Sequence, residues 1–315
     1  MPTLVTLSDI QRAREQIAPY VRRTPMFNPA PLGKAITNTK NLSLKLESLQ
    51  ITGSFKPRGA VNKMLSLSDA QLSRGLVTAS GGNHGLAVAY VGRIRNQPAT
   101  VFISNHVPES KEKLLKEWGA NVVRTGEVWD DANEAALALA EQTGAAYIHP
   151  FSDPYVIAGQ GTIGLEILDD LSKVETIIVA IGGGGLASGI AAAIKSLRPR
   201  IRVIGVEPAG APTITTSLQA GKVVAVDEIR TAASSLAGRM TTDLVLDHIS
   251  RYVDEVALVS DDEMTEASRW LWREFGLGTE IGGSAALGAL MTGKISVRDD
   301  ERVCVVVCGS GNAGL

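Results

Sequence analysis

Along almost the whole chain, short apolar segments alternate with longer segments in which apolar residues recur every three or four positions. The short segments have the length of buried strands, and the longer ones have the spacing of amphipathic helices. The pattern predicts strands at residues 42–47, 76–79, 100–104, 121–124, 146–149, 176–181, 201–207, 256–259 and 303–308. It predicts helices at residues 8–19, 56–67, 84–95, 109–118, 130–143, 186–197, 261–275 and 284–291.

This alternation predicts an α/β fold with twisted, mostly parallel sheets flanked by helices on both faces. The first helix is expected to begin with a capping box formed by Ser8 and Gln11. A length of 315 residues suggests about two domains. In open parallel sheets, ligands bind at the carboxyl ends of the strands, so we expect a functional site in the turns that follow them.

Composition and charge argue against several classes of partner. Hydrophobic residues make up 44% of the chain and charged residues 20%, as in ordinary folded proteins. The 31 basic and 33 acidic residues give a formal net charge of -2, which favours neither a nucleic acid nor a membrane as partner. Residues 176–194 are uncharged and long enough to cross a membrane. However, the four glycines at 182–185 would destabilise a helix by about 1 kcal/mol each, which favours strand, loop and helix.

The two cysteines, Cys304 and Cys308, lie in an apolar run and are predicted to be buried thiols. Such sparse use of cysteine fits a reducing compartment. The first residues lack the basic stretch and the apolar stretch of a secretory signal. We therefore expect a cytoplasmic protein.

Three predicted strands run into glycine-rich turns, at residues 77–85, 181–186 and 307–312. A turn of this kind lets the backbone approach a ligand, and the N–H groups at the start of a following helix bind anions. One such turn can be purely structural. Three together indicate a ligand with more than one anionic or polar end.

A nicotinamide dinucleotide is one candidate ligand. Gly182, Gly184 and Ala187 match the spacing of the dinucleotide fingerprint, and Glu207 ends the next predicted strand, where an acid that binds the ribose belongs. Against a NAD-binding oxidoreductase, about 180 residues precede the motif, whereas it normally opens a domain. The other two glycine turns would also have no role.

A lysine argues for a different ligand. Lys56 follows the apolar Phe55 at the predicted start of a helix, near the positive end of the helix dipole. An electropositive and partly dry setting lowers the pKa of a lysine and makes it a Schiff-base nucleophile.

Four motifs carry a resemblance to a known family. They are Thr-Gly-Ser-Phe-Lys-Pro-Arg-Gly-Ala at 52–60, Ser-Gly-Gly-Asn-His-Gly at 80–85, the four glycines and leucine at 182–186, and Gly-Ser-Gly-Asn at 309–312. In order and spacing they resemble the fold-type-II pyridoxal-phosphate enzymes. The chain is most similar to the threonine/serine dehydratase (threonine ammonia-lyase) and serine racemase family, in the short catabolic form without a regulatory domain.

The resemblance implies an architecture like that of the tryptophan synthase β subunit. A large cofactor-binding domain would comprise residues 1–70 and 154–315, and a small mobile domain would comprise residues 75–150. The resemblance also suggests a homodimer.

The resemblance also assigns roles to residues. Lys56 would bind pyridoxal 5'-phosphate covalently, and Phe55 would pack beside its ring. Asn83 would donate to the 3-hydroxyl oxygen of the cofactor, and Ser310 would meet its pyridine nitrogen. The phosphate would be held by the N–H groups of Gly182, Gly183, Gly184, Gly185 and Leu186. The substrate carboxylate would be held by Thr52, Ser54, Ser80, Gly81, Gly82, Asn83 and His84.

The implied reaction is β-elimination from L-threonine, L-serine or both, with Lys56 as the base and with a 2-oxo acid and ammonia as products. A serine racemase and a β-replacement synthase stay open as alternatives. A catalytically silent binding protein is an alternative of another class.

Two further positions bear on these alternatives. In similar racemases a serine two residues before the asparagine donates a proton on the face opposite the lysine, but this chain has Gly81 there. We therefore expect little D-amino acid, and we expect a Gly81→Ser change to introduce racemisation. Glu207 and the carbonyl of Ala211 match two ligands of a cation site in similar racemases. Because Thr213 stands where an acid would be, we expect little activation by magnesium or calcium.

Overall fold

The computed structural model describes residues 4–29, 37 and 39–313. Within these ranges the helices are α1 Leu7–Ile17, α2 Lys56–Leu65, α3 Asp69–Leu72, α4 Asn83–Arg95, α5 Glu109–Glu117, α6 Trp129–Thr143, α7 Pro154–Asp170, α8 Gly185–Leu197, α9 Thr213–Ala220, α10 Asp243–Tyr252, α11 Asp261–Phe275 and α12 Ala285–Met291. The strands are β1 Met26–Phe27, β2 Asn41–Leu46, β3 Leu76–Ala79, β4 Ala99–Ile103, β5 Asn121–Arg124, β6 Ala146–Tyr147, β7 Thr176–Ala180, β8 Arg202–Pro208, β9 Glu255–Val259 and β10 Arg302–Val307. Each strand and helix predicted from the sequence is present, with ends within two residues of the prediction.

The strands form two sheets. The larger sheet has the order β1-β2-β10-β7-β8-β9, and the smaller sheet has the order β5-β4-β3-β6. The short β1 pairs antiparallel with β2, and the other pairings in both sheets are parallel. This arrangement confirms the predicted α/β fold with mostly parallel sheets.

The core of the larger sheet lies on β7 and β10. All of β7 is buried, and β10 is buried except at its first residue. Cys304 and Cys308 are free thiols in this core, as predicted, and burial raises the pKa of each to about 12. The uncharged residues 176–194 form β7, a turn and the first part of α8, which confirms strand, loop and helix. In the described part of the chain, no helix has both the length and the apolar character needed to cross a membrane.

The first helix begins one residue earlier than predicted and has a different cap. Thr6 is its N-cap: the Thr6 hydroxyl accepts from the backbone N–H of Asp9 at 3.2 Å, and the Asp9 carboxylate accepts from the backbone N–H of Thr6 at 3.0 Å. The predicted box of Ser8 and Gln11 is therefore wrong, because Ser8 already lies within the first turn.

The apolar pattern did not predict α7, which is the longest helix in the described residues. Twelve of its residues in succession are buried, so it lacks the contrast between an apolar face and a polar face. Its start does carry a local signal. Asp153 caps the helix by accepting from the N–H groups of Tyr155 and Val156, and Pro154 occupies the first helical position.

Glycines let two other helices lie at backbone distance from α7. A Cβ on Gly161 would lie 2.9 Å from the carbonyl oxygen of Gly189 in α8, and one on Gly159 would lie 2.5 Å from the carbonyl oxygen of Arg58 in α2. A Cβ on Gly164 would lie 3.0 Å from the Cβ of Ala193 in α8. Since α2 begins at Lys56 and α8 begins at Gly185, α7 sets the spacing of two segments of the predicted site.

Four charged side chains form a buried ion cluster beside the start of α2: Lys45, Glu47, Arg58 and Glu166. Arg58 donates to Glu47 at 2.8 Å and to Glu166 at 2.7 Å. Lys45 donates to Glu166 at 2.5 Å and to the carbonyl oxygen of Thr24 at 2.8 Å. Two cations and two carboxylates balance in charge, so the cluster joins α2, α7, β2 and the segment before β1 without a net buried charge.

Candidate active site

The lysine motif and the glycine turn after β10 are bonded to each other. The N–H of Phe55 donates to the carbonyl oxygen of Cys308 at 3.3 Å, and the N–H of Ser310 donates to that of Gly53 at 2.7 Å. Ser54 and Gly309 form a β-bridge between these two bonds. The lysine motif and the predicted ligand turn at 307–312 are thereby held side by side at the carboxyl end of β10.

Lys56 is partly buried at the first position of α2. Its Nζ donates to the carbonyl oxygen of Pro150 at 2.6 Å and lies 5.0 Å from the centre of the Phe55 ring. Burial lowers the pKa of Lys56 to about 8, although Cys308 and Glu280 act in the opposite direction. A lysine in this state exchanges its proton readily near neutral pH, as a nucleophile or a general base must.

The residues just before the lysine are strained and carry unused hydroxyl groups. Thr52 has a φ of 62° and Gly53 a φ of 79°, the left-handed region that a threonine rarely adopts. A side chain on Gly53 would collide with the Ser310 hydroxyl. The hydroxyls of Thr52 and Ser54 are buried and have no hydrogen-bond partner. Strain and unpaired polar atoms at one turn are typical of a site where a ligand completes the bonding.

The asparagine turn begins α4. Asn83 is the first helical residue, and Gly82, its N-cap, offers no side-chain cap, so the N–H groups at the helix start are unpaired by side chains. The Ser80 hydroxyl accepts from the N–H of Gly82 at 3.3 Å. A Cβ on Gly81 would lie 2.5 Å from a methyl carbon of Val107, so the valine fills the space beside that glycine.

His84 lies in the same turn, but its ring faces the protein interior. Its Nε2 lies 2.9 Å from the carbonyl oxygen of Ile148, and its Nδ1 is buried without a partner. Burial, helped by the charge of Lys56, lowers the pKa of His84 to about 3. The side chain is therefore neutral at physiological pH, and its backbone N–H remains at the helix start.

The four glycines form the turn before α8. Gly184 has a φ of 92°, which favours glycine, and α8 begins at the next residue without a side-chain cap. A side chain on Gly183 would collide with the ring of Phe151, and one on Gly185 would lie 2.5 Å from the Phe151 carbonyl oxygen. Since Phe151 follows Pro150, the carbonyl partner of Lys56, the lysine and the glycine turn share one neighbouring segment. Free N–H groups at a helix start bind phosphate.

Glu280 belongs to the site, although the sequence pattern did not indicate it. Its carboxylate accepts from the Asn83 amide nitrogen at 2.8 Å, across 197 positions of sequence, and from Ser235. Burial raises the pKa of Glu280. Glu280 lies in an irregular segment between two helices, so only the tertiary structure reveals its neighbours.

His149 is a second residue that sequence reasoning missed. Its Nδ1 accepts from the N–H groups of Phe151 at 3.2 Å and Ser152 at 2.8 Å, and so fixes the turn next to Lys56. Burial, helped by the charge of Lys56, lowers the pKa of His149 to about 4. A ring nitrogen that accepts two hydrogen bonds belongs to a neutral imidazole whose proton is on Nε2.

Glu207 lies outside this constellation. Its two carboxylate oxygens accept from the N–H groups of Ile214 at 2.7 Å and Thr215 at 2.9 Å, at the start of α9. The Thr213 hydroxyl donates to the carbonyl oxygen of Gly238 at 2.5 Å. Glu207 is thus a helix cap rather than an acid facing the four glycines. Among the described residues, no group of three or more acidic, histidine or cysteine side chains is arranged to hold a metal ion.

Comparison with known proteins decides between the candidate ligands. Residues 17–309 match the family described as pyridoxal-phosphate dependent enzyme. The chain belongs to this family. The resemblance predicted from the four motifs is confirmed, and the dinucleotide alternative loses its support.

Members of the family and solved structures resemble nearly the whole chain. The chain is 40% identical over 306 residues to a Thermotoga maritima protein named L-threonine ammonia-lyase, covering 97% of this chain and 75% of that protein. It is 37% identical over 314 residues to the L-threonine dehydratase catabolic TdcB of Staphylococcus aureus, covering 99% of this chain and 90% of that protein. The structure of maize serine racemase matches with a TM-score of 0.92 at 34% identity, covering 98% of this chain and 94% of the other.

The residues present fit the cofactor of this pyridoxal-phosphate family. An aldehyde needs an amine that can lose its proton, and Lys56 has a pKa of about 8. A phosphate needs several N–H donors, and the glycine turn before α8 offers them without intervening side chains. Polar ring substituents need donors close to the lysine. Asn83 donates to Glu280, and Ser310 forms a β-bridge with Thr279, the residue before Glu280.

Proposed function

We propose that this protein is a pyridoxal-phosphate-dependent ammonia-lyase that converts L-threonine, L-serine or both to a 2-oxo acid and ammonia. The observation that carries the proposal is Lys56, a partly buried lysine whose pKa desolvation lowers to about 8 and whose hydrogen-bond partner is a carbonyl rather than a carboxylate. The names of the curated relatives, L-threonine ammonia-lyase and L-threonine dehydratase, support the choice of reaction.

In this proposal the chain holds the cofactor at four places. Lys56 bonds to it covalently, Phe55 packs beside its ring, Asn83 donates to its phenolic oxygen and Ser310 meets its pyridine nitrogen. The backbone of residues 182–186 takes the phosphate. When bound, the cofactor supplies an electron sink for negative charge at the substrate α-carbon. A neutral serine at the pyridine nitrogen makes this sink weaker than a carboxylate would, which suits a reaction that relieves the charge at once.

Once the amino group of the substrate has displaced Lys56 from the cofactor, the freed lysine would act as the base. In its neutral form the amine takes the α-proton of the substrate, and a pKa of about 8 leaves an appreciable neutral fraction at slightly alkaline pH. The electron pair left at the α-carbon forms a double bond to the β-carbon as the β-hydroxyl departs, and the hydroxide takes up a proton to become water. The released enamine hydrolyses in water to the 2-oxo acid and ammonia.

The substrate carboxylate is proposed to bind between the asparagine turn and the lysine motif. Its donors would be the N–H groups of Gly81, Gly82, Asn83 and His84, and the hydroxyls of Thr52, Ser54 and Ser80. The unpaired buried hydroxyls of Thr52 and Ser54 support this assignment. So does the absence of a side-chain cap at the start of α4, since a carboxylate can take that place.

We further propose that residues 1–70 with 154–315 form the large domain and that residues 75–150 form a small domain that closes over the substrate. The two separate sheets support this division. Helix α2 packs its apolar residues Val61 and Met64 into the core that contains Val88 and Val91 of α4. The helix that carries Lys56 therefore contacts both units. A homodimer is proposed on the family resemblance alone, and a cytoplasmic location on the sparse use of cysteine.

A serine racemase is the second candidate, favoured by the structural match to maize serine racemase. Racemisation needs a proton donor on each face of the α-carbon. Gly81 offers no side chain, and Val107 occupies the adjoining space. We therefore favour elimination over racemisation. The names of the curated relatives favour it over a β-replacement synthase, and the presence of Lys56 favours it over a silent binding protein.

The test is a panel of β-hydroxy amino acids given to the purified protein loaded with pyridoxal phosphate. We expect a 2-oxo acid and ammonia in equal amounts from L-threonine or L-serine, with the remaining substrate still L. Borohydride reduction and peptide mapping should place the cofactor on Lys56. Rapid D-amino acid formation would favour the racemase, and cofactor binding without any turnover would favour the silent binder.

A further inference from the structure

Glu280 links the asparagine turn to the glycine turn after β10. Its Oε1 accepts from the Nδ2 of Asn83 at 2.8 Å, and Ser235 donates to the same carboxylate. Its own backbone N–H donates to the carbonyl oxygen of Gly309 at 3.3 Å. Asn83 begins a helix of the smaller sheet, whereas Glu280 and Gly309 flank the larger sheet. The carboxylate therefore bridges the two units of the fold at the site.

Three glycines leave room for this carboxylate and its partner. A side chain on Gly309 would collide with the Glu280 carboxylate, and a Cβ on Gly311 would lie 2.8 Å from the Glu280 Cα. A Cβ on Gly282 would lie 2.5 Å from the Ser235 hydroxyl. The local backbone thus leaves space for Glu280, whose carboxylate is directed at Asn83.

The chemistry of the two groups determines which end of the Asn83 amide faces Glu280. An ionised carboxylate only accepts hydrogen bonds, whereas the two ends of an asparagine amide are a donor and an acceptor of nearly equal size. Glu280 therefore holds the amino end of the Asn83 amide toward the site, and one of the two Nδ2 hydrogens remains free to donate. With a glutamine at 280, which both donates and accepts, either orientation of the amide could be satisfied.

Charged and titratable groups from other elements surround Glu280. The positive charges of Lys111 on α5 and Lys56 on α2 act to lower the pKa of Glu280. Cys308 is a neighbouring titratable group, and the charge of Glu280 acts to raise the pKa of its thiol. Asn83 and Ser235 are its neutral donors. The carboxylate is thus the acidic neighbour of Lys56, although the lysine makes its hydrogen bond elsewhere.

We propose that Glu280 is a positioning residue: it orients the Asn83 amide so that an N–H faces the phenolic oxygen of the cofactor, and it places negative charge near Lys56. This inference rests on the proposed function, since it assumes that the cofactor binds at Lys56 beside Asn83. It adds a residue that acts through Asn83 rather than on the substrate.

The experiment compares cofactor affinity in Glu280→Gln, Asn83→Ala and the double variant, using absorbance and fluorescence titration with pyridoxal phosphate. Hydrogen bonds to charged groups contribute about 1.5–3 kcal/mol. We therefore expect the affinity of Glu280→Gln for the cofactor to fall by about ten-fold or more. In the Asn83→Ala background the same change should have a much smaller effect, because the amide it orients is gone. Glu301→Gln is the control, because Glu301 is a buried carboxylate that bonds to Thr176 and lies at the amino end of β10.

A second readout separates positioning from a merely structural role. The pH midpoint of the absorbance change of the bound cofactor should fall in Glu280→Gln, because loss of the carboxylate removes negative charge beside the lysine, and it should stay in place in Glu301→Gln. Glu280→Asp, which keeps the charge, should restore the midpoint in part. Thermal unfolding of each variant checks that it is folded.

Unchanged affinity and midpoint in a folded Glu280→Gln variant would overturn the inference. The inference would also be overturned if Glu280→Gln lowered cofactor affinity equally in the wild type and in the Asn83→Ala background. A wild-type protein that binds the cofactor and shows this coupling, but forms no oxo acid, would overturn the proposed function and leave the role of Glu280 supported. A wild-type protein that binds no cofactor would overturn both.

Discussion

Two groups of buried polar side chains lie close together at the start of α2, and they are built in opposite ways. In the ion cluster, the Arg58 guanidinium and the Lys45 ammonium each donate to more than one acceptor. In the candidate site, the hydroxyls of Thr52 and Ser54 and the Nδ1 of His84 have no partner. Both groups cost desolvation energy on folding, but only the ion cluster recovers it within the protein.

The two cations in the first turn of α2, Lys56 and Arg58, show the same contrast. Burial acts to lower the pKa of Arg58, but the charges of Glu47 and Glu166 outweigh it, and the pKa is raised. Burial acts on Lys56 with no acid paired to it, and its pKa falls to about 8. Two residues apart on one helix, one cation is fixed in its charge and the other is free to change it. The comparison teaches that paired acids hold a buried cation in its charged state, whereas a cation without a paired acid can give up its proton.

Replacement of Lys56 gives the largest effect that the comparison predicts. Lys56→Ala should lower turnover by about 10³-fold or more, since the covalent attachment and the base are lost together. Stability should change little, because the partly buried amine makes one hydrogen bond within the protein, to the carbonyl oxygen of Pro150. Oxo-acid assays and urea unfolding measure the two effects, and near-normal turnover in Lys56→Ala would contradict the proposed chemistry.

In the ion cluster, replacement of a cation should lower the stability of the protein. Arg58→Ala should destabilise the protein by about 3–5 kcal/mol, because Glu47 and Glu166 would be left as unpaired buried charges. Arg298→Ala is the control: Arg298 also bonds to carboxylates but is 62% exposed, so its loss should cost less than about 1 kcal/mol. Urea unfolding compares them, and equal losses would mean that the cluster contributes no more than a surface pair.

Acid should lower the free energy of unfolding through His149, which lies beside the candidate site. Burial lowers the pKa of His149 to about 4, below the 6.5 of an unfolded histidine, so the unfolded chain binds the proton first as pH falls. The resulting loss of unfolding free energy is absent above about pH 6.5 and grows as the pH drops toward 4. It reaches roughly 1–2 kcal/mol at pH 5.

His149→Asn tests this, because the asparagine oxygen can accept from Phe151 and Ser152 as Nδ1 does, yet does not titrate. The loss of unfolding free energy between pH 7 and pH 5 should be smaller in this variant than in the wild type. His106→Asn, at a histidine that is 76% exposed, should leave the loss unchanged. The interpretation fails if His149→Asn is as sensitive to acid as the wild type.

The stereochemical prediction changes in the light of Val107. Gly81→Ser alone should give little D-serine, because the added Cβ would lie 2.5 Å from a Val107 methyl carbon. Gly81→Ser with Val107→Ala should form a small amount of D-serine beside the main pyruvate product, and Val107→Ala alone should form none. Chiral chromatography decides it, and substantial D-serine from the wild type would refute the stereochemical argument.

The smallest effect is expected from divalent cations. Magnesium should not activate the wild type over a chelated control, because both Glu207 oxygens are already engaged at the start of α9. Thr213→Asp should introduce at most a weak dependence. A large, saturable activation of the wild type would show that other ligands hold a cation there.

The sequence predicted the parts of the site that are local. Lys56, Asn83, residues 182–186 and Ser310 each lie in a motif of a few residues, where backbone geometry and chemistry are encoded together. Glu280 and His149 act through contacts that only the tertiary structure forms, and no spacing rule points to them. Helix α7 was missed for a different reason, because a helix buried on nearly every side has no polar face to mark its period.

The glycines of α7 have a consequence for how this protein can change over generations. Because α2 and α8 meet α7 at backbone contact, a single added methyl group there would push apart the lysine and the glycine turn before α8, which the proposal assigns to the phosphate. That half of the site can therefore accept almost no variation. The side that the proposal assigns to the substrate includes the space beside Gly81, where the loop residue Val107 lies and where a change of side chain need not move a helix. New substrate preferences can thus arise by mutation on that side while the distance between the two helix starts is inherited unchanged.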